Sequence, residues 1–415
     1  MDFTTAARAY GELGVDVEAA MEVASRKALS VHCWQGDDLV GYDSPQGGTG
    51  NGILATGDYP GRARTFAELT SDFEFAMRFV PGAKRIALHA SYAIFDDAHP
   101  WVDRDRIGYE HFEPWVAWAR ERGYGIDFNP TVFSHPMMRD GLSLSSPDAE
   151  VRRFWIDHCL RCREISQRIG EELDDLVQCN LWIPDGLKDV PADRFGPRRR
   201  LRDSLDEVYA EPLDRVVDSV ESKWFGIGVE AYTVGSPEFY LAYAMGRPHV
   251  HVLMDTGHYH PGEPVSEKLP TLELFEDWVP LHVSRPMNWD SDHVVTFDDE
   301  LRELCKEIVR NGCVDRVLIG SDYFDASINR VAAWVVGSRS LQKALLWALL
   351  QPNDALRELQ DAGNFTKKLA LMEEAKTLPF ADVWAEYCAR QGVPAGFGWF
   401  AEVERYEREV LSKRS

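Results

Sequence analysis

The chain has 415 residues, 45% hydrophobic and 11% aromatic, enough for a large core and for a full α/β barrel with accessory helices. Its 68 acidic residues outnumber 45 basic ones, for a formal net charge of −23, a field that repels phosphate backbones, so no nucleic-acid partner is expected. The N-terminal MDFTTAARAYGELG is polar and no apolar run approaches about 18 residues, so a soluble cytoplasmic protein without a membrane partner is expected.

Apolar residues at helical spacing over 4–26 predict an N-terminal helical pair. The first strand is expected over 28–34, ALSVHCW, and runs into a polar, glycine-rich segment from Gln35 to Gly61. GGTGNG within it lacks the Lys and following helix of a phosphate loop, so it reads as a βα loop that could cover a site. Helices over 66–79, 110–122, 148–171, 199–211, 236–245, 265–277 and 298–311 then alternate with strands over 85–91, 125–131, 176–182, 216–221, 249–255, 279–283 and 316–322. Eight strands separated by helices argue for a parallel sheet, and eight close a (β/α)8 TIM barrel. That places the barrel with its N-terminal helices in residues 1–326. Residues 327–415 form a C-terminal helical extension, expected as segments 327–350, 353–375, 378–391 and 397–412, with a face to bury on the barrel or on another subunit.

Seven cysteines are spread along the chain, and the C-x-x-C pair Cys159 and Cys162 lies in a charged helical context with no second pair. Ordinary reduced thiols are expected. Gly226 to Ala231 fits a dinucleotide fingerprint but sits mid-barrel, where no strand-to-helix turn opens a first βαβ unit.

The informative stretch is LHVSRPMNWDSDHVV, residues 281–295, where a short buried strand carrying His282 runs into Asp290 and Asp292. Two carboxylates one residue apart repel unless something positive lies between them, and a divalent ion is the simplest candidate. Glu221 with Lys223, Asp255 with His258, and Asp322 stand at the ends of other late strands, each about one βα unit from the next. In a barrel such positions converge on one rim. A single acid at a strand end is commonly a helix cap, but seven ligand-type residues at successive ends are not all caps. The set Glu221, Asp255, His258, His282, Asp290, Asp292 and Asp322 suits two divalent ions. Carboxylates favour Mn²⁺ or Mg²⁺, and the imidazoles tilt the choice toward Mn²⁺, Co²⁺ or Zn²⁺. Lys223 is either an exposed loop lysine or a partner for a substrate oxygen. Trp182 in WIPDG is either part of a plain turn or the aromatic wall of a sugar site, and His89 either bonds within the core or faces ligand.

VESKWFGIG, LMDTGHYHPGE, LHVSRPMNWDSDHVV and IGSDYFDASINR together resemble the L-rhamnose isomerases, as do HCWQGDD (32–38), ATGDYPG (55–61), DFNPTVFSHP (127–136) and WIPDG (182–186). The resemblance runs almost the whole chain. It implies a (β/α)8 barrel, two divalent ions per subunit with Mn²⁺ preferred, a homotetramer, and interconversion of L-rhamnose and L-rhamnulose. Carried over by position, one ion takes Glu221, Asp255, His282 and Asp322. The catalytic ion takes His258, Asp290 and Asp292, with Asp255 expected to be shared between the two. Lys223, His89 and Asp322 are the expected catalytic residues, and Trp182, His89 and Lys223 the expected contacts for L-rhamnose and related aldoses. Glu221-x-Lys223, Asp255-x-x-His258 and Asp290-x-Asp292 also look like spacings of xylose isomerase. Ser321 departs from the pattern, standing where a Leu-like residue is expected. A hydride shift between C1 and C2 is favoured by the resemblance over a cis-enediol route, after ring opening by an acid and a base for which His89 and a metal-bound water are the candidates. A two-metal barrel hydrolase and a non-catalytic carbohydrate-binding protein are the alternatives from other classes.

Overall fold

The computed structural model describes residues 2–43, 57–224, 231–260, 262–285, 287 and 293–414. Eight short, largely apolar strands close into a barrel: β1 (Leu29–His32), β2 (Lys84–His89), β3 (Gly125–Asn129), β4 (Val177–Trp182), β6 (Val216–Glu221), β8 (Val250–Asp255), β9 (Val279–Val283) and β10 (Val317–Ser321). Their order around the barrel is β1-β10-β9-β8-β6-β4-β3-β2, and every ladder is parallel. β8 and β9 are buried along their whole length, as expected of strands covered on both faces. The (β/α)8 architecture expected from the sequence is therefore present. A two-residue antiparallel ribbon, β5 (Gly186–Leu187) with β7 (Tyr232–Thr233), lies outside the barrel; pairs this short leave no periodic signal in a sequence.

Helices α3 (Phe66–Met77), α4 (Glu113–Arg122), α5 (Ala149–Leu173), α6 (Phe195–Val208), α7 (Pro237–Ala244), α8 (Val265–Phe275) and α9 (Asp299–Arg310) fill the crossovers. Several begin on an acid or hydroxyl that accepts a backbone N–H of the first turn: Thr65 from Glu68 in α3, Asp148 from Glu150 in α5, and Asp298 from Leu301 in α9. Such caps contribute about 1 kcal/mol each and fix where the helix starts. α10 (Arg330–Leu349), capped by Asn329, packs on α9, α3 and α2 (Val17–Arg26) and completes the outer ring after β10.

The C-terminal extension divides in its packing. α13 (Phe380–Arg390) buries Val383, Trp384 and Tyr387 in one apolar cluster with Ala6 and Tyr10 of α1 (Phe3–Gly11) and with Val17 and Met21 of α2. α14 (Trp399–Glu409) adds Trp399 and Val403 to the core beneath α3. The segment expected as one helix over 353–375 is instead two, α11 (Asn353–Asp361) and α12 (Phe365–Ala375). Gly363 turns the chain at φ +66°, a left-handed conformation that ends a helix, and the Asn364 side chain caps the next one by accepting from Lys367 N–H. None of the seven cysteines, all buried, is in a disulfide, in line with reduced thiols. No helix among the described residues is long and apolar enough to cross a membrane.

Candidate metal centre

β6, β8, β9 and β10 are consecutive neighbours in the barrel, so their carboxyl ends form one contiguous arc of rim. Glu221 ends β6 and Asp255 ends β8. Asp255 is in register with His282 of β9, and His282 with Gly320 of β10, one step before Ser321 and Asp322. Glu221, Asp255, His282 and Asp322 each bring a ligand-type atom within 4.8 Å of all the others. Glu221, Asp255 and His282 are buried and Asp322 is half-buried. His282 Nδ1 lies 3.2 Å from both Glu221 Oε2 and Asp322 Oδ2, yet it is aligned for a hydrogen bond to neither.

A second layer of hydrogen bonds sets the carboxylates. Asn180 Nδ2 donates to Glu221 Oε2 at 2.6 Å and is itself oriented by the Ser219 hydroxyl, which donates to Asn180 Oδ1 at 3.0 Å. Trp34 Nε1 donates to Asp322 Oδ1 at 3.0 Å. Asp255 Oδ1 accepts from Gly257 N–H at 2.6 Å, while Asp255 Oδ2 is buried without a hydrogen-bond partner among the described residues. The His282 ring lies against Gly320, where a Cβ would meet its Cδ2 at 3.2 Å, so a glycine on β10 makes room for the imidazole.

The electrostatics follow from this crowding. Burial works against a charged imidazole, but the Glu221 and Asp322 carboxylates outweigh it and hold the His282 pKa well above the ordinary value. Burial would raise Glu221, yet the imidazoles of His282 and His258 hold its carboxyl well below the usual range. Asp322 is likewise lowered against the cost of burial, chiefly by His282. Asp255 is the exception: burial pushes it up to about 7, opposed by His258 and reinforced by Glu221 and Asp322. A buried carboxylate oxygen without a donor among the described residues, a neighbouring imidazole lying between two further carboxylates, and an all O/N donor set fit a divalent ion. The four residues fit a metal centre.

His258 and Lys223 border the same arc. His258 Nδ1 lies 3.0 Å from Glu221 Oε1 and 3.1 Å from the Ser222 carbonyl. Lys223 is buried just past β6, its Nζ 5.2 Å from the centre of the Trp182 ring, and Trp182 leans toward His258 with ring centres 6.3 Å apart. His89, at the end of β2, sits between Trp34 and Phe133 with its Nδ1 3.3 Å from the Thr131 hydroxyl. Burial pushes its pKa down to about 4, so the ring is neutral near pH 7. Asp290 and Asp292 lie outside the described residues, as do Trp289, residues 44–56 of the Gln35–Gly61 loop and all but Ala231 of the Gly226–Ala231 fingerprint. The structure thus brings together five of the seven sequence-predicted ligands, with Lys223 and Trp182 beside them and His89 across the barrel mouth.

Residues 1–414 match the family described as L-rhamnose isomerase (RhaA). Relatives named L-rhamnose isomerase from Salmonella paratyphi A and from Salmonella typhimurium (strain LT2) are each 52% identical over 408 residues, covering 98% of this chain and 96% of the relative. The chain belongs to the L-rhamnose isomerase family. Among solved structures, an L-ribulose 3-epimerase is similar with a TM-score of 0.49 at 12% identity, covering 80% of this chain and 97% of its own. A D-allulose 3-epimerase from Methylomonas sp. is similar with a TM-score of 0.47 at 12% identity, covering 81% and 97%.

Membership in the L-rhamnose isomerases makes this chain an isomerase, and the acidic cluster is where such an enzyme would hold metal. Sequence reasoning did not assign Asn180, Trp34 or Gly320 to this isomerase's site. Asn180 carried a usable signal: a buried amide inside an apolar strand needs a partner, and by alternation it shares a face with Trp182 two residues on. Trp34 and Gly320 act through close approach, which a single sequence does not display.

Proposed function

We propose that the enzyme interconverts L-rhamnose and L-rhamnulose at this rim, with Glu221, Asp255, His282 and Asp322 holding one divalent ion. His258, Asp290 and Asp292 hold a second, with Mn²⁺ preferred at both. The observation that carries the reading is the convergence of those four side chains within 4.8 Å, with Asp255 Oδ2 unanswered by any donor among the described residues. His258 supports the second ion: a proton kept on Nδ1 by Glu221 and the Ser222 carbonyl leaves Nε2 as the ligand atom. The homotetramer is carried from the family resemblance.

Bound divalent ions supply Lewis acidity at the carbonyl and a template for the two neighbouring oxygens. The chain's own residues do the rest. Trp182 and Phe133, with ring centres 5.9 Å apart, form an apolar wall suited to a sugar's C–H face. Lys223, held over Trp182, places a positive charge where the substrate oxygen gains negative charge. His89, being neutral and with its Nδ1 beside the Thr131 hydroxyl, offers the sugar its Nε2 as a single hydrogen-bonding atom during ring opening rather than a full charge. In the open chain, the hydrogen on C2 moves with its electron pair to C1, and the O2 proton ends on O1, giving the ketose.

The test is ketose formation from L-rhamnose by chelator-stripped protein, before and after addition of Mn²⁺. Rhamnulose formation restored by the metal is expected. Turnover by fully stripped protein, or none after reloading, would remove the metal-dependent reading. With deuterium at C2, the label should stay in the product; extensive washout into solvent would replace the hydride shift by an enediol.

A further inference from the structure

We propose that His32 and Ser321 form a positioning pair that fixes the carboxylate of Asp322 and tightens its hold on metal, an inference that rests on the metal-centre reading above. Asp322 follows directly after β10, so its direction depends on its two chain neighbours and on the indole that binds it. His32, the last residue of β1, touches all three. Its Nδ1 is 2.8 Å from the Ser321 hydroxyl, its ring packs edge-on against Tyr323 with centres 4.3 Å apart, and it tilts against Trp34 at 5.1 Å. Trp34 in turn donates to Asp322 Oδ1 at 3.0 Å. His32, Trp34, Ser321 and Tyr323 are all at most 1% exposed, so the arrangement is packed rather than solvated.

The proton positions follow from what is available. The Ser321 hydroxyl lies 3.4 Å from the Ser30 carbonyl, and His32 Nε2 has no hydrogen-bond partner among the described residues. With the proton on Nδ1, His32 donates to Ser321 Oγ and Ser321 donates to Ser30, so every proton has an acceptor. With the proton on Nε2, a buried donor is left without one. The first arrangement ties β1 to β10 through side chains beside a metal ligand.

Two substitutions test it: Ser321→Ala removes the hydroxyl, and His32→Phe keeps a ring against Trp34 and Tyr323 but removes Nδ1. Mn²⁺ is titrated calorimetrically into the stripped proteins, and the melting temperature of each metal-free protein is recorded. Each single variant should bind Mn²⁺ about tenfold more weakly, as partners of metal ligands commonly do. The double variant should be no worse than either single one, because both changes break one link. A fall in metal-free melting temperature with unchanged Mn²⁺ affinity in whichever variants fold would make the pair merely structural and overturn the proposal; so would additive losses in the double variant. If the unsubstituted protein binds no Mn²⁺, or Glu221→Gln binds it equally well, the metal centre itself falls and takes the pair with it.

Discussion

The two ends of the barrel use the same side-chain types to opposite effect. At the amino-terminal end, Arg85 of β2 donates from Nε and Nη2 to the two oxygens of Asp127, each at 2.9 Å, pairs with Asp175, and caps the Ile126 carbonyl at 2.9 Å. Asp127 also accepts from Gln178 N–H at 3.0 Å. There the protein answers its own buried charge. At the carboxyl-terminal rim, three carboxylates and an imidazole converge, and Asp255 Oδ2 and His282 Nδ1 are left without hydrogen-bond partners among the described residues. A carboxylate satisfied by arginine gives stability; one left facing other carboxylates is kept for a ligand, and the fold carries its cost.

Removing one member from each end should separate the two roles. Glu221→Gln takes a charge from the ligand set and keeps the shape. We expect ketose formation to fall by at least about 10³-fold in kcat/KM, about 4 kcal/mol of transition-state stabilisation, with the metal-free protein still folded. Steady-state assay with metal titration checks this, and a loss under tenfold would argue that Glu221 is not a ligand. Arg85→Ala should do the reverse. It leaves Asp127 buried with only a backbone donor, at a cost of about 3 kcal/mol in stability, while kcat of the folded enzyme stays within twofold. Denaturant unfolding beside the activity assay distinguishes the outcomes.

The barrel was legible in the sequence because each βα unit repeats a pattern: apolar runs such as VHVLMD and VLIGS recur between amphipathic helices, and all eight barrel strands lie within a few residues of their expected positions. The candidate ligands were legible for a related reason. Glu221, Asp255, His282 and Asp322 are charged or polar groups at or just beyond the ends of apolar strands, the one place where such a residue contradicts its local surroundings. What stayed hidden depends on contacts across the barrel. Ser321 drew notice only as a departure from the family pattern, and its partner His32 is 289 residues away. The split of 353–375 turned on Gly363, whose left-handed conformation is only one of the options open to a glycine.

A smaller effect sharpens the cost carried by the rim. Asp255 has a pKa of about 7 in the folded protein against about 3.9 unfolded. A raised carboxyl stabilises the fold relative to higher pH only while protonated, so that contribution is full below about pH 4 and is gone above pH 7. His282, also raised, contributes fully below about pH 6.5 and loses its contribution as pH climbs through its folded value. Both trends have the same sign between pH 6 and 8, so the metal-free protein should melt lower at pH 8 than at pH 6. Mn²⁺ affinity should rise over the same interval, because both groups must shed protons to become ligands. Asp255→Asn should abolish that ion site yet raise the melting temperature of the metal-free protein at pH 8 by about 2–4 °C, on the order of 1 kcal/mol. Its amide oxygen can still accept from Gly257, and its nitrogen would donate where Oδ2 now faces like charge. A lower melting temperature for this variant would mean that Asp255 is stabilised by something other than metal.

The smallest effect is the most selective. Asn180 touches Glu221 but is not itself a ligand, and its orientation is set by Ser219: because that hydroxyl donates to the amide oxygen, the NH2 group must face the carboxylate. Asn180→Ala therefore removes a donor from Glu221 and an acceptor from Ser219 together. We expect Mn²⁺ binding to weaken about tenfold and stability to fall by about 1–2 kcal/mol. Asn180→Asp separates the two, since it keeps the acceptor for Ser219 but sets a carboxylate against Glu221 at hydrogen-bond distance. At pH 8 this variant should be the less stable of the two without metal, because like charges meet in a buried site, and it should recover more stability when Mn²⁺ is added. If instead both variants bind Mn²⁺ as the unsubstituted protein does, Glu221 is held without help from Asn180, and the contrast between the two ends of the barrel narrows to the candidate ligands themselves.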